Sequence, residues 1–370
     1  MSGIPRLSHS REEPQTHHPG RASVTGYWRM FVFNNSPAWG NLRHKWEAPM
    51  SALAERPAQT STLRIEQDGA YLGAFVTGID LSKPVSDADI EALGRAHAEY
   101  GLLIFRDQDM SADDLIAFGN RFGTLSVHPF APNSGVKPEL ITFRNDDKNP
   151  PFGTDCWHSD ETFRIAPPMG TMLRATDVPA FGGDTMFASM SAAWEGLSDR
   201  MQHFISGLEA WHDFKVFKPL FGESAEGRKQ LRDYEDDYPP ALHPVVTKHP
   251  VTGRNVIFVN PQFTVRIKGM EEAESTALLT QLYDLVKVPE YQYRHRWKNN
   301  TLIFWDNRST QHYAVHDYFP KRRYMERVTI AGTQPLPAFP AADLKFVRNR
   351  KARKPEEFQG NYAGHAPKKV

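Results

Sequence analysis

The stretch NTLIFWDNRSTQHYAVHDYFPKRRYMERVTIAG, residues 300–332, contains two β-prone runs separated by a polar connection. Residues 300–307 and 322–332 are rich in β-branched and aromatic residues, which is typical of strands. In the second run Arg323 and Arg327 share one face, because side chains alternate along a strand. Two guanidiniums that point into a core need anionic partners, whereas on an edge strand both would lie in solvent. The stretch therefore predicts two strands, the second with a candidate anion-binding face.

The sequence pattern of the rest of the chain also predicts short strands with helices between them. Residues 101–107, GLLIFRD, indicate a buried strand, and residues 243–260 indicate a hairpin that turns at Thr252-Gly253. Helical spacing indicates several helices, one of which would place three apolar side chains inward: Trp194, Leu197 and Met201. Alternating βαβ units and phosphate-binding glycine motifs are missing from the sequence. We therefore expect a mainly β protein with decorating helices, built as a β-barrel or jelly roll.

Composition narrows the class of protein. Lys and Arg total 44, as do Asp and Glu, so the formal net charge is zero and neither a nucleic acid nor an anionic membrane is an expected partner. No apolar run is long enough to predict a transmembrane helix. Cys156 is the only cysteine, so no internal disulfide can form and a cytoplasmic location is expected.

A candidate metal site lies in DCWHSDETF, residues 155–163. If this segment is extended, His158 and Asp160 point to the same side, roughly 6.5 Å apart along the strand, and can meet one cation. The tripeptide alone is a weak signal, because His158 could equally be a hydrogen-bonded core histidine and Asp160 a helix cap. A third ligand must then come from elsewhere in the chain, since two protein ligands hold a catalytic metal poorly.

The third ligand is sought in the stretch of residues 300–332, which offers His312 and His316. The pair lacks the glutamate of a zinc-binding HExxH motif, and the strand-like run before it and Pro320 after it argue against a long helix. We therefore prefer His312 and treat His316 as a second histidine outside the site. Two histidines and one carboxylate form the facial ligand set of non-heme Fe(II) oxygenases.

The chain resembles the taurine/2-oxoglutarate dioxygenases, which are Fe(II)-dependent oxygenases with a double-stranded β-helix core. The resemblance covers roughly residues 62–335 and rests on seven motifs in the order of the family: GAYLGAFVTGIDL, LLIFRDQ, FGTLSVHP, WHSDETF, FGGDTMF, LHPVVTKHPVTG and WDNRSTQHYAVHDYFPKRRYMERVTIAG. It implies three iron ligands, a cosubstrate site for the distal carboxylate of 2-oxoglutarate, and O₂ as second cosubstrate. The implied ligands are His158, Asp160 and His312, and the implied cosubstrate residues are Arg323 and Thr185.

The resemblance also implies a small-molecule anionic substrate, with His128 and Arg327 binding the anion and Phe263 and Phe217 walling the pocket. It implies hydroxylation of a small organosulfonate such as taurine at the carbon next to sulfur, which releases sulfite and an aldehyde with succinate and CO₂. The residues expected near a taurine amine differ. The family pattern reads His-Pro-x-Tyr, whereas here Phe130 follows His128-Pro129 and no tyrosine comes directly after it. The anion end of the pocket is thus expected to match the family and the amine end to differ.

Three alternatives remain open. The same cofactor chemistry could act on an alkyl sulfate or an aryloxyalkanoate. The chain could be a metal-binding module without turnover, although the complete ligand set argues against it. A zinc hydrolase would more commonly have a third histidine in place of Asp160.

The polar N-terminus, the basic tail and the extent of the resemblance together set the expected domain limits. We predict a disordered N-terminal extension over residues 1–60, a catalytic dioxygenase domain over 61–335 and a basic, loosely ordered tail over 336–370. Met50 is a second candidate start of translation. A homo-oligomer is also expected.

Overall fold

The computed structural model describes residues 62–130, 136–151, 153–222 and 224–341. The predicted N-terminal extension, the candidate start at Met50 and the tail beyond residue 341 lie outside the described residues. In the described residues, the strands and the helices are short.

A sheet of seven strands forms the main layer, in the order β1-β2-β3-β13-β5-β15-β4. All neighbours are antiparallel except β2 and β3. Both strands predicted from residues 300–332 belong to it, on either side of β5. The members are β1 (Arg64–Gln67), β2 (Ala74–Thr77), β3 (Leu102–Phe105), β4 (Ile141–Asn145), β5 (Gly170–Asp177), β13 (Leu302–Asp306) and β15 (Arg323–Ile330).

Three smaller sheets of three strands each complete the β structure of the part of the chain that the structure describes, in the orders β12-β6-β14, β11-β7-β8 and β10-β9-β16. The hairpin predicted at Thr252-Gly253 is confirmed as the antiparallel pair of β9 and β10. The members are β6 (Thr185–Ser189), β7 (Glu209–His212), β8 (Ala241–Pro244), β9 (Val246–Lys248), β10 (Asn255–Ile257), β11 (Thr264–Ile267), β12 (Gln292–His295), β14 (Thr310–Ala314) and β16 (Leu336–Pro337).

Within the described residues, six α-helices decorate the sheets: α1 (Asp87–Tyr100), α2 (Ala112–Asn120), α3 (Met190–Glu195), α4 (Asp199–Ile205), α5 (Ala225–Asp237) and α6 (Glu272–Tyr283). Short 3₁₀ helices span Lys215–Phe221, Asp284–Lys287 and Pro289–Tyr291. The expectation of a single helix carrying Trp194, Leu197 and Met201 is wrong. Ser198 caps a new helix by accepting a hydrogen bond from the Met201 N–H, so the chain forms α3 and then α4. The predicted class, mainly β with decorating helices, is confirmed.

Strand β3 shows how both faces of the main sheet are buried. Leu103 and Phe105 pack on the side covered by α1 and α2. Leu102 and Ile104 point to the other side, where Phe187 of β6 joins them. Because alternate side chains point to opposite faces, one apolar strand supplies two cores. The second core, between the main sheet and the sheet containing β6, is the one that borders the site described below. Among the described residues, no helix is long and apolar enough to cross a membrane.

Asp306, at the end of β13, is fully buried and links separate parts of the fold. Its carboxylate forms an ion pair with Arg308 and accepts a hydrogen bond from His249 Nε2 at 3.0 Å. His97 Nδ1 of α1 lies 3.5 Å away. The guanidinium of Arg308 and the imidazoles of His249 and His97 thus all lie against the single buried carboxylate of Asp306.

We expect Asp306→Ala to lower the free energy of unfolding by about 3–5 kcal/mol, because it leaves buried partners without their counter-charge. Asp284→Ala, which removes a half-exposed carboxylate paired with Lys287, is the matched control and should change it by less than about 0.5 kcal/mol. Urea unfolding measures both. Equal midpoints for the two variants would contradict a structural role for Asp306.

Candidate active site

Two histidines meet across an isolated β-bridge between the segment after Trp157 and strand β14. The His158 N–H donates to the His312 carbonyl at 3.0 Å, and the His312 N–H donates to the His158 carbonyl at 2.8 Å. This exchange of both backbone hydrogen bonds places the two residues directly opposite each other. Their ring centroids are consequently 4.1 Å apart.

Asp160 completes a compact cluster with these histidines. Its Oδ1 atom lies 3.8 Å from His158 Nε2 and 3.8 Å from His312 Nε2. The three side chains are buried, and one ligand atom from each lies within 4.8 Å of the others. The WHSD segment forms a single β-bridge at His158 and no longer strand, and Glu161, directly after it, has a positive φ of 49°.

The protonation states of the cluster suit a divalent metal ion. His158 Nδ1 lies 2.7 Å from the Cys156 carbonyl, which can only accept, so Nδ1 carries the proton and Nε2 keeps its lone pair. Burial lowers the pKa of both histidines, which favours neutral imidazoles. Burial opposes ionisation of Asp160, yet the Arg327 guanidinium and the hydrogen bond from Thr171 hold its pKa below the usual range. Two neutral imidazoles and one carboxylate are a donor set that fits Fe(II).

Asp160 is oriented by a buried hydrogen-bond network that sequence reasoning missed. Thr171 of β5 donates to Asp160 Oδ2 at 2.6 Å, and Asn307 Nδ2 donates to the Thr171 hydroxyl at 2.9 Å. Asn307 Oδ1 accepts from the Asp160 N–H at 3.2 Å and from Trp305 Nε1 at 2.9 Å. With Oδ2 already bonded, Oδ1 is the oxygen left to face the two imidazoles. The sequence feature that could have indicated this network is the polar Asn307 directly after a strand of apolar residues.

Arg323 is a buried cation without a carboxylate partner among the described residues. Its Nε donates to the Gly183 carbonyl at 3.0 Å, and Nη2 lies 3.5 Å from the Thr185 hydroxyl. Burial lowers the pKa of Arg323, and the more distant Tyr318 and Asp184 offset this only in part. A cavity of about 60 Å³ is lined by Arg323, Thr185 and both histidines of the cluster. An unpaired buried guanidinium is costly, so this cavity favours an anionic ligand.

Arg327 lies four residues after Arg323 on β15 and is closer to the His-Asp-His cluster. Its Nη2 is 3.0 Å from Asp160 Oδ1, but this contact is not aligned as a hydrogen bond. His128 Nδ1 accepts from the Phe130 N–H at 3.1 Å, so Nε2 carries the proton of the neutral ring. Burial and the nearby Arg327 lower the pKa of His128 to about 3. Arg327 and His128 therefore both offer donors and no negative charge.

A second cavity, of about 320 Å³, is lined by Arg327, His128 and Asp160. Phe217 and Phe263 form part of its apolar wall, together with Phe130. The structure thus brings every candidate residue to one of two adjoining cavities. The two cavities share His158 and Arg327 in their linings, so they meet at the His-Asp-His cluster. His316 lies outside that cluster, with Nε2 3.0 Å from the Thr154 hydroxyl.

Comparison with known proteins gives consistent matches. The family model described as Taurine catabolism dioxygenase TauD, TfdA family matches residues 60–329. An alpha-ketoglutarate-dependent sulfonate dioxygenase of Saccharomyces cerevisiae is 32% identical over 301 residues, covering 78% of this chain and 70% of the yeast protein. An (S)-phenoxypropionate/alpha-ketoglutarate-dioxygenase of Sphingobium herbicidovorans is 34% identical over 270 residues, covering 71% of this chain and 93% of that protein.

A solved structure supports the same relationship. A taurine dioxygenase from Burkholderia xenovorans matches with a TM-score of 0.62 at 29% sequence identity, covering 74% of this chain and 90% of that one. The match of the family model to most of the chain agrees with the His-Asp-His cluster and the cavity beside it. The chain therefore belongs to the TauD/TfdA family and is a 2-oxoglutarate-dependent dioxygenase that uses Fe(II), 2-oxoglutarate and O₂.

Proposed function

We propose that this dioxygenase hydroxylates a small organosulfonate at the carbon next to sulfur. The product would release sulfite and leave an aldehyde, while 2-oxoglutarate becomes succinate and CO₂. The observation that carries the proposal is that Arg327 and His128, a cation and a neutral hydrogen-bond donor, line the same cavity beside the His-Asp-His cluster. The sulfonate dioxygenase of Saccharomyces cerevisiae, 32% identical, supports the same substrate class.

We assign the Fe(II) site to His158, Asp160 and His312. When bound there, the metal supplies, with O₂ and 2-oxoglutarate, the oxidising chemistry of the reaction. The chain contributes fixed geometry: the β-bridge sets the two imidazoles, and Thr171 directs one carboxylate oxygen inward. We further propose that the main sheet and the β12-β6-β14 sheet form a double-stranded β-helix, and that residues 61–335 are the catalytic domain.

We assign the distal carboxylate of 2-oxoglutarate to Arg323 and Thr185. A planar guanidinium can bind a carboxylate through two parallel hydrogen bonds, and the hydroxyl can satisfy a further lone pair. The small cavity runs from these residues to the two histidines, so a ligand held at Arg323 can reach the metal site. Trp297 Nε1 donates to the Thr185 hydroxyl at 2.9 Å, which fixes the orientation of that hydroxyl.

We assign the substrate anion to Arg327 and His128. The protonated Nε2 of His128 donates a hydrogen bond, and Arg327 supplies the positive charge. Phe217 and Phe263 cover the cavity and keep water away from the reacting carbon. The aromatic rings contact each other, with centroids 6.0 Å apart.

A second candidate substrate is an aryloxyalkanoate or an alkyl sulfate. The observation that favours it is the volume of the substrate cavity, about 320 Å³, with a wall of aromatic side chains. The phenoxypropionate dioxygenase of Sphingobium herbicidovorans, 34% identical, points in the same direction. The iron and cosubstrate assignments are the same for both candidates.

The product of turnover separates the two candidates. Purified protein with Fe(II), ascorbate and 2-oxoglutarate is incubated in air with taurine, propane-1-sulfonate, an alkyl sulfate or a phenoxypropionate. Sulfite formed in equal amount to succinate supports the sulfonate assignment. Succinate coupled to phenol or to sulfate, without sulfite from any sulfonate, supports the second candidate and rejects the first.

Thr171→Val should weaken metal binding by about 10- to 100-fold, because it removes the hydrogen bond that holds Asp160 Oδ2. Fe(II) or Mn(II) affinity is measured anaerobically by titration. Thr176→Val is the control, since Thr176 lies on the same strand and bonds the Tyr324 carbonyl at 3.0 Å, away from the cluster. Equal metal affinity in the two variants would show that Thr171 does not position Asp160.

Arg323→Gln should raise the KM for 2-oxoglutarate by about 10- to 150-fold, the loss expected for a hydrogen bond to a charged group. The KM for the substrate should change little. Arg322→Gln is the control, because Arg322 is an exposed neighbour paired with Asp177 at 3.4 Å. An unchanged KM for 2-oxoglutarate with a raised KM for substrate would mean that Arg323 and Arg327 have the opposite roles.

A further inference from the structure

Trp297 is a buried tryptophan that contacts both residues assigned to the distal carboxylate of 2-oxoglutarate. Its indole Nε1 donates a hydrogen bond to the Thr185 hydroxyl at 2.9 Å. Its ring also lies against the guanidinium of Arg323, with Cζ 5.8 Å from the ring centroid, which is within the usual range of a cation–π contact. A single side chain thus touches the hydroxyl and the cation that line the cosubstrate cavity.

The pairing of two strands explains why Trp297 lies there. Strand β12 runs antiparallel to β6, and its last residue, His295, is paired with Thr185. The chain therefore leaves β12 beside Thr185 and brings Trp297 to the same end of the sheet. The His295 ring packs on the indole with centroids 4.8 Å apart, and Trp297 is only 5% exposed. The indole consequently has little room to turn.

The hydrogen bonds of the Thr185 hydroxyl show what this indole does. A threonine hydroxyl has one hydrogen to donate and two lone pairs that accept. Trp297 Nε1 can only donate, and so can Arg323 Nη2, which lies 3.5 Å from the hydroxyl oxygen. Both neighbours therefore use lone pairs, and no acceptor for the hydrogen is found among the described residues. Because Thr185 is buried and lines the cosubstrate cavity, a ligand in that cavity can supply the acceptor.

The guanidinium of Arg323 calls for the same kind of ligand. Its Nε is already used, because it donates to the Gly183 carbonyl at 3.0 Å. Its terminal nitrogens have no carboxylate partner among the described residues, and Arg323 is buried. The cavity thus presents a charged donor and a neutral O–H donor side by side. A carboxylate is the ligand group that can accept from both.

We propose that Trp297 is a positioning residue of the cosubstrate site. By donating to the Thr185 oxygen, its indole leaves the hydroxyl hydrogen to be donated to the distal carboxylate of the 2-oxo acid. This inference rests on the proposed assignment of that carboxylate to Arg323 and Thr185. Trp297 should therefore contribute to binding only when the 2-oxo acid carries a distal carboxylate.

The test compares two 2-oxo acids that differ at the distal group. 2-Oxopentanoate carries a methyl group where 2-oxoglutarate carries its distal carboxylate. The intact protein with Fe(II) is titrated anaerobically with each acid, and the visible charge-transfer band gives the two dissociation constants. Trp297→Phe keeps a ring beside Arg323 but loses the N–H. We expect it to raise the Kd of 2-oxoglutarate by about 5- to 10-fold and to change that of 2-oxopentanoate by less than about twofold.

A double-mutant cycle shows whether Trp297 acts through the Thr185 hydroxyl. Thr185→Val alone should raise the Kd of 2-oxoglutarate by about 10-fold or more, because it removes a hydrogen bond to a charged group. Adding Trp297→Phe to Thr185→Val should then raise that Kd by less than about twofold, because the hydroxyl on which the indole acts is gone.

Trp194→Phe is the matched control. It is the same substitution at a buried tryptophan that packs on Phe339 and lines neither cavity, so both dissociation constants should stay unchanged. If Trp297→Phe does not fold, Trp297→Tyr is measured instead, since its ring is larger and also lacks the indole N–H. The readout is the ratio of the two dissociation constants, so a general loss of stability, which weakens both acids, does not imitate the expected result.

The possible results separate this inference from the assignments on which it rests. A ratio that is unchanged in Trp297→Phe but altered in Thr185→Val overturns the role of Trp297 and leaves the cosubstrate assignment intact. Fully additive effects in the double variant overturn the action through the Thr185 hydroxyl. An unchanged ratio in Thr185→Val overturns the assignment of Thr185, and the inference with it. The titrations contain no sulfonate, so none of these results bears on the proposed substrate.

Discussion

The pair of backbone hydrogen bonds between His158 and His312 is the constraint on which the site depends. It joins segments that are far apart in sequence and makes their imidazoles neighbours before any ligand is bound. Strand β14 is itself held by β6, which carries Thr185. The two histidines of the cluster and Thr185 are therefore tied to the same small sheet. Such placement on strands keeps a catalytic geometry more constant than placement on free loops would.

The two buried charged residues near this backbone bridge, Asp160 and Arg323, differ in how far other residues compensate for their charge. Asp160 has cationic and hydrogen-bonding neighbours, whereas among the described residues Arg323 is hydrogen-bonded to a carbonyl and a hydroxyl and has no carboxylate partner. A carboxylate ligand would supply the counter-charge that Arg323 lacks. Because a ligand that binds only the folded state stabilises it, cosubstrate binding and folding stability should be coupled in this protein.

Several features could be predicted from the sequence because they depend on local patterns. Alternation in the RRYMERVTI run placed Arg323 and Arg327 on one face of β15, and turn residues located the hairpin at Thr252-Gly253. The prediction of a single helix after residue 190 was wrong, because Ser198 caps a new helix there.

The sequence by itself determined which residue types were available: two histidines and a carboxylate for a metal, and two arginines for anions. Only the tertiary structure decided how they are used. It selected His312 over His316 and bonded Thr171 and Asn307 to Asp160. The physical reason is that local periodicity reports the face of a strand or helix, whereas hydrogen bonds between distant segments depend on how the sheets pack.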